Sequence, residues 1–291
     1  MAGRTTWKIG GAARWLLQPS SSTQLQSLFA RWPNGLPRLI LGGGSNLLVD
    51  DNGFAGVVLD LTRQMCRMQI MDNHPDDETV FVRVQAGAST RSLAHFARQQ
   101  GLSGAEFLGG IPGTIGGALR MNAGAYGSDM QAILAECELL DTEGQVHTLA
   151  VDRLGMGYRH CAVADDWLFI SALLRLQRDD PHAIRERMRI MNQKRRNSQP
   201  LHYPSAGSTF KNPPAGPKAW QWIEMAGMRG AREGNAQVSE KHCNFLLNLG
   251  NAQARDMRTL IERIRNRVWQ TGQVALALEI KMVGTDGFLS E

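Results

Sequence analysis

Three residues without a Cβ follow one another in Gly42-Gly43-Gly44-Ser45-Asn46, directly after the apolar run Pro37-Arg38-Leu39-Ile40-Leu41. At a strand end such a stretch turns tightly and can aim successive N–H groups at an anion. Its spacing is neither the Gly-x-Gly-x-x-Gly that opens a helix nor a phosphate loop ending in Gly-Lys-Ser/Thr. For this loop alone two readings stand: an anion nest suited to a pyrophosphate, or a glycine turn in a hairpin. A second cluster, Gly109-Gly110-Ile111-Pro112-Gly113-Thr114-Ile115-Gly116-Gly117, favours the nest, because two phosphate-approach loops on separate lobes suit an extended dinucleotide. The basic triplet Lys194-Arg195-Arg196 ends a charged helical stretch, where a solvated helix end is the plainer reading.

These residues need elements to hold them. The pattern predicts strands at 37–41, 47–49 and 56–61, a strand, tight turn, strand unit around the first loop, with a short amphipathic helix over 23–31 before it. Alternation from Thr79 to Ala86 predicts a half-buried strand, and Thr90 to Gly101 a helix closed by its glycine. The second glycine cluster reads as loop throughout. Strands at 137–141, 146–150 and 168–176 and a charged helix over 181–196 complete a second lobe. Beyond it come helices over 218–226 and 252–270, a strand at 244–248 and a final apolar strand over 274–283. The expected units are 1–62, joined by a strand from 276–291; 63–194; and 195–275.

With 291 residues and 43% hydrophobic content the chain can bury a sizeable core. A formal charge of +5 from 32 basic and 27 acidic residues is dispersed, without the cationic tail of a nucleic-acid binder, and suits an anionic small molecule. Cys66, Cys137, Cys161 and Cys243 lack disulfide-framework or zinc spacing. No run approaches the roughly 18 apolar residues of a membrane span. The expectation is a cytoplasmic protein with no nucleic acid, no membrane insertion, no metal and no obligatory protein partner.

Both glycine clusters, together with Thr6-x-Lys8-Ile9-Gly10-Gly11, Met121-Asn122-Ala123-Gly124-Ala125-Tyr126-Gly127, Ser205-Ala206-Gly207-Ser208-Thr209-Phe210-Lys211-Asn212-Pro213 and Ala236-Gln237-Val238-Ser239-Glu240-Lys241-His242-Cys243-Asn244-Phe245, occur in the order typical of one family. Over nearly its whole length the chain resembles the UDP-N-acetylenolpyruvoylglucosamine reductases (MurB), in the shorter of their two types. The resemblance implies an α+β architecture: a two-lobed FAD-binding fold of the vanillyl-alcohol-oxidase (PCMH) type plus a C-terminal α/β substrate-binding domain. It implies non-covalent FAD, since no His or Cys lies between Pro37 and Asp50, with NADPH as co-substrate and a UDP-sugar enolpyruvyl ether as substrate.

Cofactor residues implied in this way are Gly42, Gly43, Gly44, Ser45, Asn46 and Leu47 in the first loop. In the second they are Gly109, Gly110, Ile111, Pro112, Gly113, Thr114, Gly116 and Gly117, with Asn122 and Gly124 beyond. Ser208 resembles the family's proton donor, which matches a chemical need: hydride addition to an enol ether leaves carbanion character beside the carboxylate, and that centre must be protonated. Arg159 and Glu279 match its cationic and acidic partners. The surroundings differ from the family pattern, with His160-Cys161 after Arg159 and Ala277-Leu278 before Glu279. Arg195 and Arg196 gain a role as diphosphate anchors and Asn212 as a polar substrate contact; Lys211, Gln237 and His242 complete the expected substrate set. Two other readings share the cofactor fold, an oxygen-using hydroxy-acid or lactone oxidase and a catalytically silent flavin-binding homologue.

Overall fold

The computed structural model describes residues 1–71 and 78–289; the last two residues of the expected 276–291 segment lie outside it. The strand Phe54–Asp60 is the centre of a parallel sheet, flanked by Ala13–Leu17 and Arg38–Leu41, so that Val58 stands opposite both Leu16 and Leu39. Its near-continuous apolar run fits a strand buried on both faces. The helix Ser22–Phe29 is capped by the Ser21 side chain and buries Leu25 and Phe29 against Val57 and Leu59.

The first glycine loop is not a hairpin. Leu47–Val49 does not return to Arg38–Leu41 but pairs in parallel with Lys281–Val283. Gly44, at φ +60°, redirects the chain, and its carbonyl accepts from Thr6 N at 3.0 Å. A Cβ on Gly44 would lie 2.0 Å from Arg4 O, so only glycine fits.

A larger antiparallel sheet follows, in the order Val146–Ala150, Leu134–Leu140, Leu168–Arg178, Thr79–Gln85, Met68–Ile70. Thr79–Gln85 alternates in burial as its sequence predicts. The helices Thr90–Gln99 and Pro181–Ser198 pack with the turn Glu106–Gly110, where Glu106 takes Arg187 at 2.8 Å. The second glycine cluster is only partly loop, for Ile115–Arg120 is a helix capped by the Thr114 side chain. Glycine is tolerated there because the first turn is held from outside: Ile115 N and Gly116 N donate to Ala88 O and Ala86 O, both at 2.9 Å.

The remaining chain forms a three-stranded antiparallel sheet, Arg232–Glu233, Ala236–Val238 and Leu246–Asn248, with the helices Ala219–Met225 and Ala254–Gly272. Met257, Leu260, Ile261, Ile264 and Val268 make the buried stripe of the long helix. Trp7 is buried in this core together with Ile9: its Nε1 donates to Leu246 O at 2.7 Å, and Asn248 Nδ2 donates to Trp7 O at 2.8 Å. The expected strand over 274–283 shrinks to Lys281–Val283, because residues 277–279 instead bond across Thr209 and Lys211.

Candidate active site

Two extended straps cross beneath Ser208. Thr209 N donates to Asn244 O at 2.8 Å, Glu279 N to Thr209 O at 2.8 Å, and Lys211 N to Ala277 O at 2.9 Å. The buried Asn244 carboxamide clamps the Phe210 peptide from both sides, accepting from its N–H at 2.9 Å and donating to its carbonyl at 2.8 Å. Backbone pairing therefore sets Glu279 one residue from half-buried Ser208, although 71 positions separate them in the chain (279 − 208). Asn46, at the end of the first glycine loop, donates from Nδ2 to Glu279 O at 2.9 Å and accepts from Lys281 N at 2.9 Å. It positions the acidic residue.

Arg159 arrives from the other sheet. Gly157 and His160 exchange N–H···O bonds at 3.0 and 3.2 Å, so Tyr158 and Arg159 form the tip of a two-residue turn. Arg159 holds φ +53°, an uncommon conformation for a residue other than glycine. Asn122 Nδ2 donates to Gly157 O at 3.1 Å and steadies the turn. From there Arg159 Nε reaches Glu279 Oε1 at 2.6 Å, with both side chains largely out of water. Burial pushes the Glu279 carboxyl above the ordinary glutamate range, against the opposing charges of Arg159 and Lys211. Tyr158, which sequence reasoning missed, accepts at its hydroxyl from Asn212 N and Nδ2 at 3.4 and 3.3 Å, and lies under the Arg159 guanidinium.

A cavity of about 680 Å³ begins at this constellation. Arg159, Lys211 and Ile280 line it, as do Leu41 and Gly42 of the first loop, Thr114, Gly116 and Gly117 of the second, and Arg38, Arg120 and Trp167. Its lining joins cations such as Arg159 and Lys211, the carboxylates Asp165 and Asp166, and apolar surface such as Trp167, Ile280 and Met282. A smaller cavity of about 500 Å³ is lined by both loops, at Gly42, Gly43, Gly113 and Thr114, together with Arg4, Asp60 and Ser89; Arg159 and Lys211 line only the larger.

The two loops divide the work unequally. The N–H groups of Gly42, Gly43, Gly44, Ser45 and Asn46 have no acceptor among the described residues, as an anion nest requires. Those of Ile115, Gly116 and Gly117 are taken by Ala88 O, Ala86 O and Thr114 Oγ1. The second loop contributes close approach: a Cβ on Gly43 would lie 2.7 Å from Gly113 Cα, whereas one on Gly117 would meet only Thr114 Oγ1, at 3.5 Å, and otherwise project into open space. Ser45 Oγ ties the loops by donating to Pro112 O at 3.0 Å, and Thr90 Oγ1 donates to Ile111 O. Leu47 packs into the small cluster around Val49.

Other expected site residues stand elsewhere. Gly109 and Gly110 face the helix Pro181–Ser198, against Met188 and Arg195. Gly124 closes a hairpin onto Asp129, and the Asn122 carboxamide is spent on Gly157, Asp129 and Gln131. Arg195 and Arg196 are absent from the cavity lining. Burial beside Gly110, with Arg91 near, lowers the Arg195 pKa, while Arg196 is exposed and its carbonyl accepts from Lys241 Nζ at 2.6 Å. Gln237 is buried beside Arg232 and Gly230. His242 packs edge-on to Phe245 at 4.9 Å with its Nδ1 buried and unpartnered, and burial lowers its pKa. The Gln237 and His242 side chains are thus packed within the fold.

Comparison with known proteins matches this arrangement. Residues 13–150 match an FAD binding domain, and residues 199–283 match the C-terminal domain of UDP-N-acetylenolpyruvoylglucosamine reductase. The reductase of that name from Magnetococcus marinus is 53% identical over all of this chain and 93% of its own length. That from Gluconobacter oxydans is 43% identical over 97% of this chain and 89% of its own. The crystal structure of UDP-N-acetylenolpyruvylglucosamine reductase (MurB) from Thermus caldophilus superposes with a TM-score of 0.81 at 32% identity, over 97% of this chain and 96% of that one. The chain belongs to the UDP-N-acetylenolpyruvoylglucosamine reductase family.

Proposed function

We propose that this chain reduces the enolpyruvyl group of UDP-N-acetylglucosamine enolpyruvate to the lactyl ether of UDP-N-acetylmuramate, with NADPH as reductant and non-covalent FAD, in the supply of peptidoglycan precursor. The observation that carries this reading is the meeting of Arg159, Glu279 and the Ser208 strap at the end of a cavity that Arg159 lines together with Gly42 of the first glycine loop. FAD, when bound, accepts hydride from NADPH and delivers it to the enolpyruvyl carbon. Gly42 to Asn46 would hold its pyrophosphate through their free N–H groups, and Gly117 would leave room beside it.

The Ser208 hydroxyl gives a proton to the carbon beside the substrate carboxylate. The charges of Arg159 and Lys211 lower the cost of the oxygen anion left behind. Glu279 fixes the Arg159 fork, so that the guanidinium meets the substrate carboxylate in one orientation. Tyr158 holds the Asn212 amide at the substrate side. Arg195 and Arg196 attract the diphosphate from the helix end.

No helix among the described residues is long and apolar enough to cross a membrane. A cytoplasmic location fits both soluble reactants. The test is purification followed by a flavin spectrum and an NADPH oxidation assay with and without the UDP-sugar. Substrate-dependent oxidation with appearance of UDP-N-acetylmuramate is expected; NADPH oxidation indifferent to the UDP-sugar would overturn the reading.

A further inference from the structure

We propose that the hairpin after Lys281–Val283 is the closing wall of the flavin channel, with Phe288 and Leu289 lying against the bound cofactor and setting the rate at which it leaves. The inference rests on the reading that the larger cavity holds FAD. Residues 284–289 are a built element: Gly284 N donates to Gly287 O at 2.8 Å, Leu289 N to Met282 O at 2.9 Å, and Phe288 bridges back to Val283. Gly287 sits at φ +150°, so the turn depends on that glycine, while the Leu289 side chain packs over Gly284, 2.7 Å from where a Cβ would lie. Ala55 N donates to Thr285 O at 2.7 Å and pins the turn to the start of the central strand Phe54–Asp60.

This ordered hairpin leaves Phe288 51% and Leu289 39% exposed, although both line the cavity with Ile280 and Met282. Large apolar side chains held at a cavity wall gain burial when a flat ring system fills the space beside them. Because the hairpin is anchored by backbone bonds, trimming these two side chains removes ring cover without removing the wall's support. They touch the cofactor side of the cavity and take no part in proton or hydride transfer.

The experiment uses the full chain carrying FAD and its Phe288→Ala, Leu289→Ala and Phe288→Tyr variants. Cofactor release is followed as the rise of free-flavin fluorescence after dilution, and the melting temperature of each flavin-free form is recorded. Each alanine variant is expected to release FAD roughly tenfold faster, from the lost aromatic and apolar cover, with Phe288→Tyr close to wild type and the flavin-free melting temperatures unchanged. Wild-type release rates in both alanine variants would overturn the proposal alone. So would a fall in flavin-free melting temperature that accounts for the faster release, since the side chains would then be structural. A wild-type protein that takes up no FAD would overturn the underlying reading as well.

Discussion

Arg159 and Glu279 meet at 2.6 Å although they come from different parts of the fold, one from the tip of a turn beside the antiparallel sheet and the other from a strap under Ser208. The pair is unbalanced toward the acid, because burial raises the Glu279 carboxyl while Arg159 and Lys211 only partly oppose it. A carboxyl raised on folding favours the folded state while protonated. That contribution is full below its unfolded value, near 4.5, and is lost as pH rises through the raised value. Removing the cation by Arg159→Met raises the carboxyl further and leaves a buried charge unpaired at high pH. The variant is expected to lose about 3 kcal/mol at pH 8 and distinctly less at pH 5, measured by denaturant unfolding; an equal loss at both would contradict the assignment.

Asp60 works in the opposite direction. Its side chain is buried, and burial alone would raise its carboxyl, yet hydrogen bonds from Thr62 and Gln18 and the charge of Arg4 hold it below the usual aspartate range. A depressed carboxyl stabilises the fold above its unfolded value, near 3.8, and that stability is lost as pH falls through the folded value. Asp60→Asn, whose new amide opposes the donors Arg4 and Gln18, is expected to cost about 2 kcal/mol at pH 7. It also removes part of the acid sensitivity below pH ~4; unfolding curves from pH 3 to 7 check both.

Two glycines of the proposed cofactor loops separate packing from ligand space. Gly43→Val drives a branched side chain into Gly113, so it is expected to lower both the melting temperature and the flavin content. Gly117→Val meets little protein and projects into open space at the cavity, so it is expected to keep the flavin-free melting temperature and lose flavin. Full flavin content in Gly117→Val would show that the cofactor does not pass this turn.

Neutralising Arg195 and Arg196 together is expected to raise the Michaelis constant for the UDP-sugar about tenfold, as the loss of one charged hydrogen bond does, with flavin content unchanged. Salt is expected to weaken wild-type binding more than variant binding. Substrate titrations indistinguishable from wild type would reduce the triplet to a solvated helix end.

Local patterns foretold most elements, because burial on one face writes a period of two or of about 3.6 into the sequence, as in Thr79–Gln85 and in Met257 to Val268. Long-range pairings left no such mark. Nothing near Leu47–Val49 announces Lys281–Val283 as its partner, and nothing near Trp7 announces the Leu246 carbonyl. The glycine clusters were legible as close approaches, but the use of each N–H was not, since Ile115, Gly116 and Gly117 spend theirs on distant carbonyls or a neighbouring hydroxyl. Asn122 shows the same limit: nothing in its motif announces that its carboxamide steadies the turn that carries Arg159. Tyr158 left one faint signal, a tyrosine before an arginine in a short glycine-flanked turn.

The most direct measurement is an anaerobic stopped-flow comparison of wild type and Ser208→Ala in separate half-reactions. In the proposed scheme NADPH bleaches the flavin of both proteins at similar rates, because that transfer requires no proton at the substrate carbon. Addition of the UDP-sugar then restores the wild-type colour quickly and the variant's at least about 10²-fold more slowly, the lower range for a positioned general acid. Recovery of colour by the UDP-sugar at the same rate in both proteins would contradict the role of Ser208, and failure of the UDP-sugar to restore it in the wild type would contradict the proposed function itself.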